Sequence, residues 1–164
     1  MMKFCQNGNQ DALQMLDGLK NHQAVQKMKC YIQHGNVSTY EHCENVAELS
    51  YRLNRRFHLH ADEKALLTGA MLHDFYLYDW HEHDRSHALH GFRHPERAVR
   101  NAVHYFHIGA KEQQIIRSHM WPLTLTCFPA CREAWIVCLA DKCCAVAETF
   151  AGKSPVDRHS RQSG

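Results

Sequence analysis

Fifteen histidines stand in a chain of 164 residues, nearly as many as its seventeen aspartates and glutamates. Imidazole is the commonest transition-metal ligand and titrates near neutrality, so these residues are where chemistry is sought first. His42, the adjacent pair His73-Asp74, and Asp141 each fall on an apolar helical stripe that should face a core. An ionised carboxylate among Ala134, Val137, Cys138 and Ala145 costs several kcal/mol unless a cation or a partner meets it. A divalent metal held by two imidazoles and two carboxylates meets that need, and mixed nitrogen and oxygen ligation suits Fe, Mn, Co or Zn. A single inward histidine is more often a hydrogen-bonded core residue. Four polar intrusions into apolar stripes are harder to explain that way.

The elements that must carry these residues read as helices. Ser38-Thr39-Tyr40-Glu41 is a capping box opening a helix to about Arg56, with His42, Val46, Leu49 and Leu53 inward. Asp62 can cap a second helix through Leu66, Ala70 and His73, ending near Asp74 or Phe75. From Tyr76 to Arg93 no period is sustained, which predicts a long functional loop. Within it, His81, His83, His87 and His90 are mostly a solvated face. Pro95 suits a first helical position, which makes His94 a possible N-cap, and Ala98, Val99, Ala102, Val103 and Phe106 define a third helix. A fourth, from about Lys111, carries Ile115, Ile116 and His119, and a fifth runs from near Pro129 to Phe150, with Asp141 and Glu148 on one side. Upstream, Asp11–Lys20 and His22–Gln33 are also helical in pattern, and no segment alternates as a strand would. The expectation is an all-α domain over residues 1–151, with its core at about 38–149, followed by a frayed polar tail at 152–164.

Composition narrows the function classes. The formal charge is +2, which gives no electrostatic basis for a nucleic-acid groove or for an anionic membrane. Apolar runs such as Trp135-Ile136-Val137-Cys138-Leu139-Ala140 are far too short to span a bilayer, and the N-terminal residues lack a secretory apolar region. A cytoplasmic location is expected. The eight cysteines are irregularly spaced and form no Cys-x-x-Cys pair, so they read as reduced and packed.

The segments "EHCENVAELSYRL", "LLTGAMLHDF" and "WIVCLADKCCA" together resemble the HD superfamily of metal-dependent phosphohydrolases, over roughly Ser38 to Thr149. The resemblance implies a helical bundle of about six to seven helices. It implies that His42, His73, Asp74 and Asp141 ligate a first metal. Some members hold a second metal through two more histidines. "HPERAV" looks like a segment of the HD-GYP branch and offers His94, while "IIRSHMWPL" offers His119. Phe75-Tyr76-Leu77 replaces the residues that follow the doublet in that branch, its substrate-binding Lys included, and the GYP element is absent. That departure speaks against cyclic-dinucleotide hydrolysis.

By resemblance, then, one or two divalent transition ions per chain, iron foremost, activate water against a phosphoester or phosphoanhydride, with a small phosphorylated molecule such as a nucleotide as substrate. Dinucleoside polyphosphate hydrolases share the dinuclear pattern. Asp74 would bridge the ions, His81 or His90 would protonate the leaving group, and Arg93 and Lys142 would contact phosphate. Two rivals stay open: a di-iron oxygenase on the same ligands, and a regulatory module that binds metal and nucleotide without turnover.

Overall fold

The capping box forms as the sequence predicts. Ser38 N–H donates to Glu41 Oε2 at 2.9 Å, and Glu41 N–H donates to Ser38 Oγ at 3.2 Å. Free donors of the first turn are thereby satisfied, which fixes the start of the helix at Thr39 and puts His42 at the end of that turn, facing inward. Asp62 caps the next helix through Ala65 N–H at 3.2 Å, so the ten-residue helix runs out at Leu72 and delivers His73 and Asp74 at its end.

The computed structural model describes residues 4–34, 36–77 and 90–151. Among these it has seven helices: α1 (Phe4–Asn21), α2 (Gln23–Gln26), α3 (Thr39–Arg56), α4 (Glu63–Leu72), α5 (His90–Phe106), α6 (Ala110–Ser118) and α7 (Arg132–Ala151). Helix α4 is central and touches α1, α3, α6 and α7. Its close approach to α6 depends on Gly69, where an added Cβ would lie 2.6 Å from the Ile115 side chain. That contact brings the His73 end of α4 toward the His119 end of α6. Val46, Leu66, Ile115 and Val137 pack in one apolar cluster, while Val25, Cys43, Phe75, Val99 and Ile116 pack in a second.

Three expectations are corrected. The segment His22–Gln33 is not one helix. It breaks into α2, a 3-10 turn at Lys27–Cys30, and a strand β1 (Ile32–His34) paired antiparallel with β2 (Val37–Ser38), Ile32 opposite Ser38. Gly-Asn between short runs is a hairpin signal, and strands of three and two residues are too brief to show alternation. Helix α5 begins at His90, so Pro95 lies inside it, one turn from the start, where a missing N–H costs a single backbone hydrogen bond. His94 is therefore a helical residue and not a cap. Helix α7 starts at Arg132, three residues after Pro129.

His81, His83, His87 and the tail 152–164 lie outside the described residues. Seven of the eight cysteines, all but Cys5, are described as free thiols, and no helix among the described residues is long and apolar enough to cross a membrane.

Candidate metal centre

Six side chains from five elements converge in the interior. His42 comes from α3, His73 and Asp74 from the end of α4, His94 from α5, His119 from the end of α6, and Asp141 from α7. All six are buried, with exposures between 0 and 8%. They form three overlapping groups able to hold an ion: His42, His73 and Asp74; His73, His119 and Asp141; and Asp74, His94 and His119.

Local helix geometry orients the rings. The last carbonyls of a helix lack intrahelical donors. His73, at the end of α4, gives its Nδ1–H to Ala70 O at 2.7 Å, and His119, at the end of α6, gives its Nδ1–H to Ile116 O at the same distance. In both cases the donation fixes the tautomer and turns Nε2 toward the cluster. His42 is oriented by a side chain instead. Its Nδ1 lies 2.8 Å from Glu148 Oε2, and its Nε2 lies 3.1 Å from Asp141 Oδ1.

Asp74 sits between the rings. Its Oδ1 is 3.1 Å from His94 Nε2 and 3.5 Å from His119 Nε2, while its Oδ2 is 3.5 Å from His73 Nε2. The Gln33 side-chain amide donates to Oδ2, and Tyr76 O–H in turn donates to Gln33 Oε1. Thr39 Oγ1 is 3.4 Å from the same Gln33 oxygen and 3.3 Å from the Tyr76 hydroxyl. The ribbon thus has a purpose at the site: it places Gln33 against the carboxylate.

The donor set fits metal ions. His73 Nε2 and Asp74 Oδ1 are buried and make no hydrogen bond of good geometry, facing only rings and carboxylates of the same cluster, a costly state for polar atoms unless something else binds them. Metal bonds of about 2.0–2.2 Å place two donors on one ion about 2.8–3.6 Å apart at right or tetrahedral angles. The close donor spacings include 2.9 Å, between His94 Nε2 and His119 Nε2, and 3.6 Å, between His73 Nε2 and Asp141 Oδ1, and all donors of a group lie within 4.8 Å of one another. Two bare imidazole nitrogens at 2.9 Å repel each other unless a proton or a cation lies between them.

Without a metal, protons serve as the counter-ions. Burial opposes a charge on His42, but its hydrogen bonds to Asp141 and Glu148 outweigh that cost and push its pKa up to about 10. Burial likewise opposes a charge on His73, yet Cys43, Asp74 and Asp141 raise it well above its usual value. Burial works against ionised Asp74 and Asp141 too. The imidazoles beside them nevertheless hold both carboxyls well below the usual carboxylate range: His73 and His94 for Asp74, His42 and His73 for Asp141. His119 is pushed down by burial, despite Asp74.

Of the other residues to which the sequence assigned a role, Lys142 borders the cluster, its ammonium 3.9 Å from Asp141 Oδ2. Arg93 is exposed on the first turn of α5. Lys142 directs its ammonium at His119 O, 2.8 Å away, and at Cys138 O, 3.3 Å away, so it ties α7 to the end of α6. His90 opens α5, and its side chain is not described. Glu148 and Gln33 carry no role that the sequence pattern alone reveals. Glu148 does lie on the inward stripe of α7, which was the available signal, whereas nothing local marks Gln33.

A helical bundle that brings buried, overlapping His/Asp clusters together from five elements is a fold that could hold metal ions. The family model of the HD domain matches residues 39–146, well over half of the chain, and the chain belongs to that family. No curated protein and no solved structure matches it. Membership implies a metal-dependent phosphohydrolase, and the buried His and Asp groups could hold the metal ions it requires.

Proposed function

We propose that the chain is a dinuclear phosphohydrolase that cleaves a phosphoester or phosphoanhydride of a small molecule, a nucleotide being the best-suited substrate. The observation that carries this reading is the division of Asp74. One of its oxygens faces His94 and His119, and the other faces His73. A carboxylate so placed is suited to bridge two ions. His42, His73 and Asp141 would complete one site and His94 with His119 the other. Iron or manganese suits four imidazoles with two carboxylates.

Two divalent cations so held supply an activated water near neutral pH and charge stabilisation on phosphoryl oxygens. The protein's own part is to keep the donors rigid and dry. Ala70 O, Ile116 O and Glu148 hold three rings, and Gln33 holds the bridging carboxylate. Arg93, exposed beside His94, is the proposed phosphate contact, and His81 or His90 the proposed proton donor to the leaving oxygen. Lys142 would contribute by fixing the backbone that carries His119.

The test is phosphate release from a nucleotide panel with the Mn²⁺- or Fe²⁺-loaded protein. Hydrolysis of at least one member is expected. Oxygen consumption without phosphate release would replace this reading with the oxygenase, and ligand-induced thermal stabilisation without product would replace it with the binding module. His94→Ala is expected to lower the metal content from two ions to one. Retention of two would remove His94 from the ligand set.

A further inference from the structure

We infer that Glu148, two residues beyond the stretch matched to the HD domain, is a positioning residue of the metal centre that holds His42 through its far nitrogen. The inference rests on the metal-binding reading above and adds to it a residue that the family match leaves out. Asp141 and Glu148 are seven residues apart on α7, two helical turns, and so share one face. The His42 ring is held between them, with Nε2 3.1 Å from Asp141 and Nδ1 2.8 Å from Glu148. The other Glu148 oxygen accepts from Asn45 Nδ2 at 3.0 Å. Asn45 is three residues from His42 on α3, so the carboxylate grips one face of that helix at two points.

Burial makes this arrangement expensive. Glu148 is 7% exposed, and an apolar side chain at the same place on α7 would avoid the desolvation cost. What the carboxylate provides is an ionised acceptor for the Nδ1 proton, where His73 and His119 have only neutral backbone carbonyls. An imidazole whose proton is held by a carboxylate is locked in one tautomer and is a more basic donor at its other nitrogen. His42 Nε2 is thereby kept on the ligand side, next to Asp141.

The back of Glu148 opens on a groove of about 390 Å³ shared with Asn36, Val37, Glu41 and Asn45. A small carboxylate can therefore reach the space left when this side chain is truncated. That access separates an orienting role from a merely structural one.

The experiment titrates Co²⁺ into wild type, Glu148→Gln and Glu148→Ala, reading affinity by chelator competition and the ligand set by visible absorption. Glu148→Ala is expected to bind Co²⁺ about 10–100-fold more weakly, with Glu148→Gln between it and wild type. Added formate is expected to recover part of the affinity of Glu148→Ala and none in Glu148→Gln, whose amide still fills the space. Should Glu148→Ala fail to fold, Glu148→Gln decides alone: the amide can accept the Nδ1 proton but has lost the charge, so weakened binding supports the role. Wild-type affinity in Glu148→Gln, or a loss in Glu148→Ala untouched by formate, overturns it. A wild type that takes up no Co²⁺ defeats the functional reading itself, whereas normal uptake with an indifferent Glu148 defeats this inference alone.

Discussion

Replacing Asp74 by alanine is expected to leave a folded protein that retains neither of the two proposed metal ions and has lost hydrolysis by more than about 10³-fold. The size follows from the charge stabilisation that bound ions supply, several kcal/mol, at about 1.36 kcal/mol for each factor of ten. Asp74 is expected to lose more than any other ligand because its two oxygens address both groups of imidazoles. Removing it also leaves His73, His94 and His119 facing one another with Asp141 as the one carboxylate among the described residues in contact with them. The helices survive, since α4 packs through Leu66, Leu67, Ala70 and Met71, which the substitution does not touch. Metal analysis, activity and far-ultraviolet circular dichroism on one preparation check all three parts. A metal-replete, active Asp74→Ala protein would remove the doublet from the site.

The second large effect is a steep dependence of metal affinity on pH. In the metal-free protein the His42 pKa is raised to about 10, and His73 is raised as well. Both must give up a proton to bind metal, so metal and protons compete over the whole range below about pH 10. With one to two protons displaced, affinity falls about 10- to 100-fold for each unit the pH drops. Calorimetry in buffers of different ionisation enthalpy reads the protons directly. A proton-neutral, pH-independent binding isotherm would contradict this protonation of the cluster.

Stability of the metal-free protein follows the same groups with a definite sign. Raised histidine values contribute stability that is fully present below their ordinary pKa near 6.5 and is lost as pH rises, for His42 through about 10. Depressed Asp74 and Asp141 contribute stability that is present above their ordinary values near 3.8 and is lost as pH falls. The metal-free cluster is thus most stabilising between about pH 4 and 6.5, and metal takes over as pH increases.

The legibility of this site in the sequence varies with the range of the interactions. His42 and Asp141 could be found because each interrupts the apolar stripe of a long helix, and His73 because it continues the apolar stripe of α4 at its C-cap, and such stripes are local. Asp141 also announced its need for a counter-charge, which the structure answers with the rings of His42 and His73. Pro95 makes His94 read as a helix start, but α5 begins at His90 and that proline is internal.

Gln33 was invisible for another reason. Its ribbon is held by a few backbone hydrogen bonds and by packing against α3 and α7, not by any pattern in its own residues. Glu148 stood on the correct stripe, yet its partner is 106 residues away in the chain, so only the folded arrangement shows what it holds.

Metal content per chain, measured on protein purified without chelator or nickel and again after reconstitution with Fe²⁺ or Mn²⁺, tests the central claim most directly. Two ions per chain are expected, falling to one in His94→Ala and to none in Asp74→Ala. A wild-type protein that holds at most one ion after reconstitution would contradict the dinuclear centre, and one that holds none would contradict the metal-dependent hydrolase altogether.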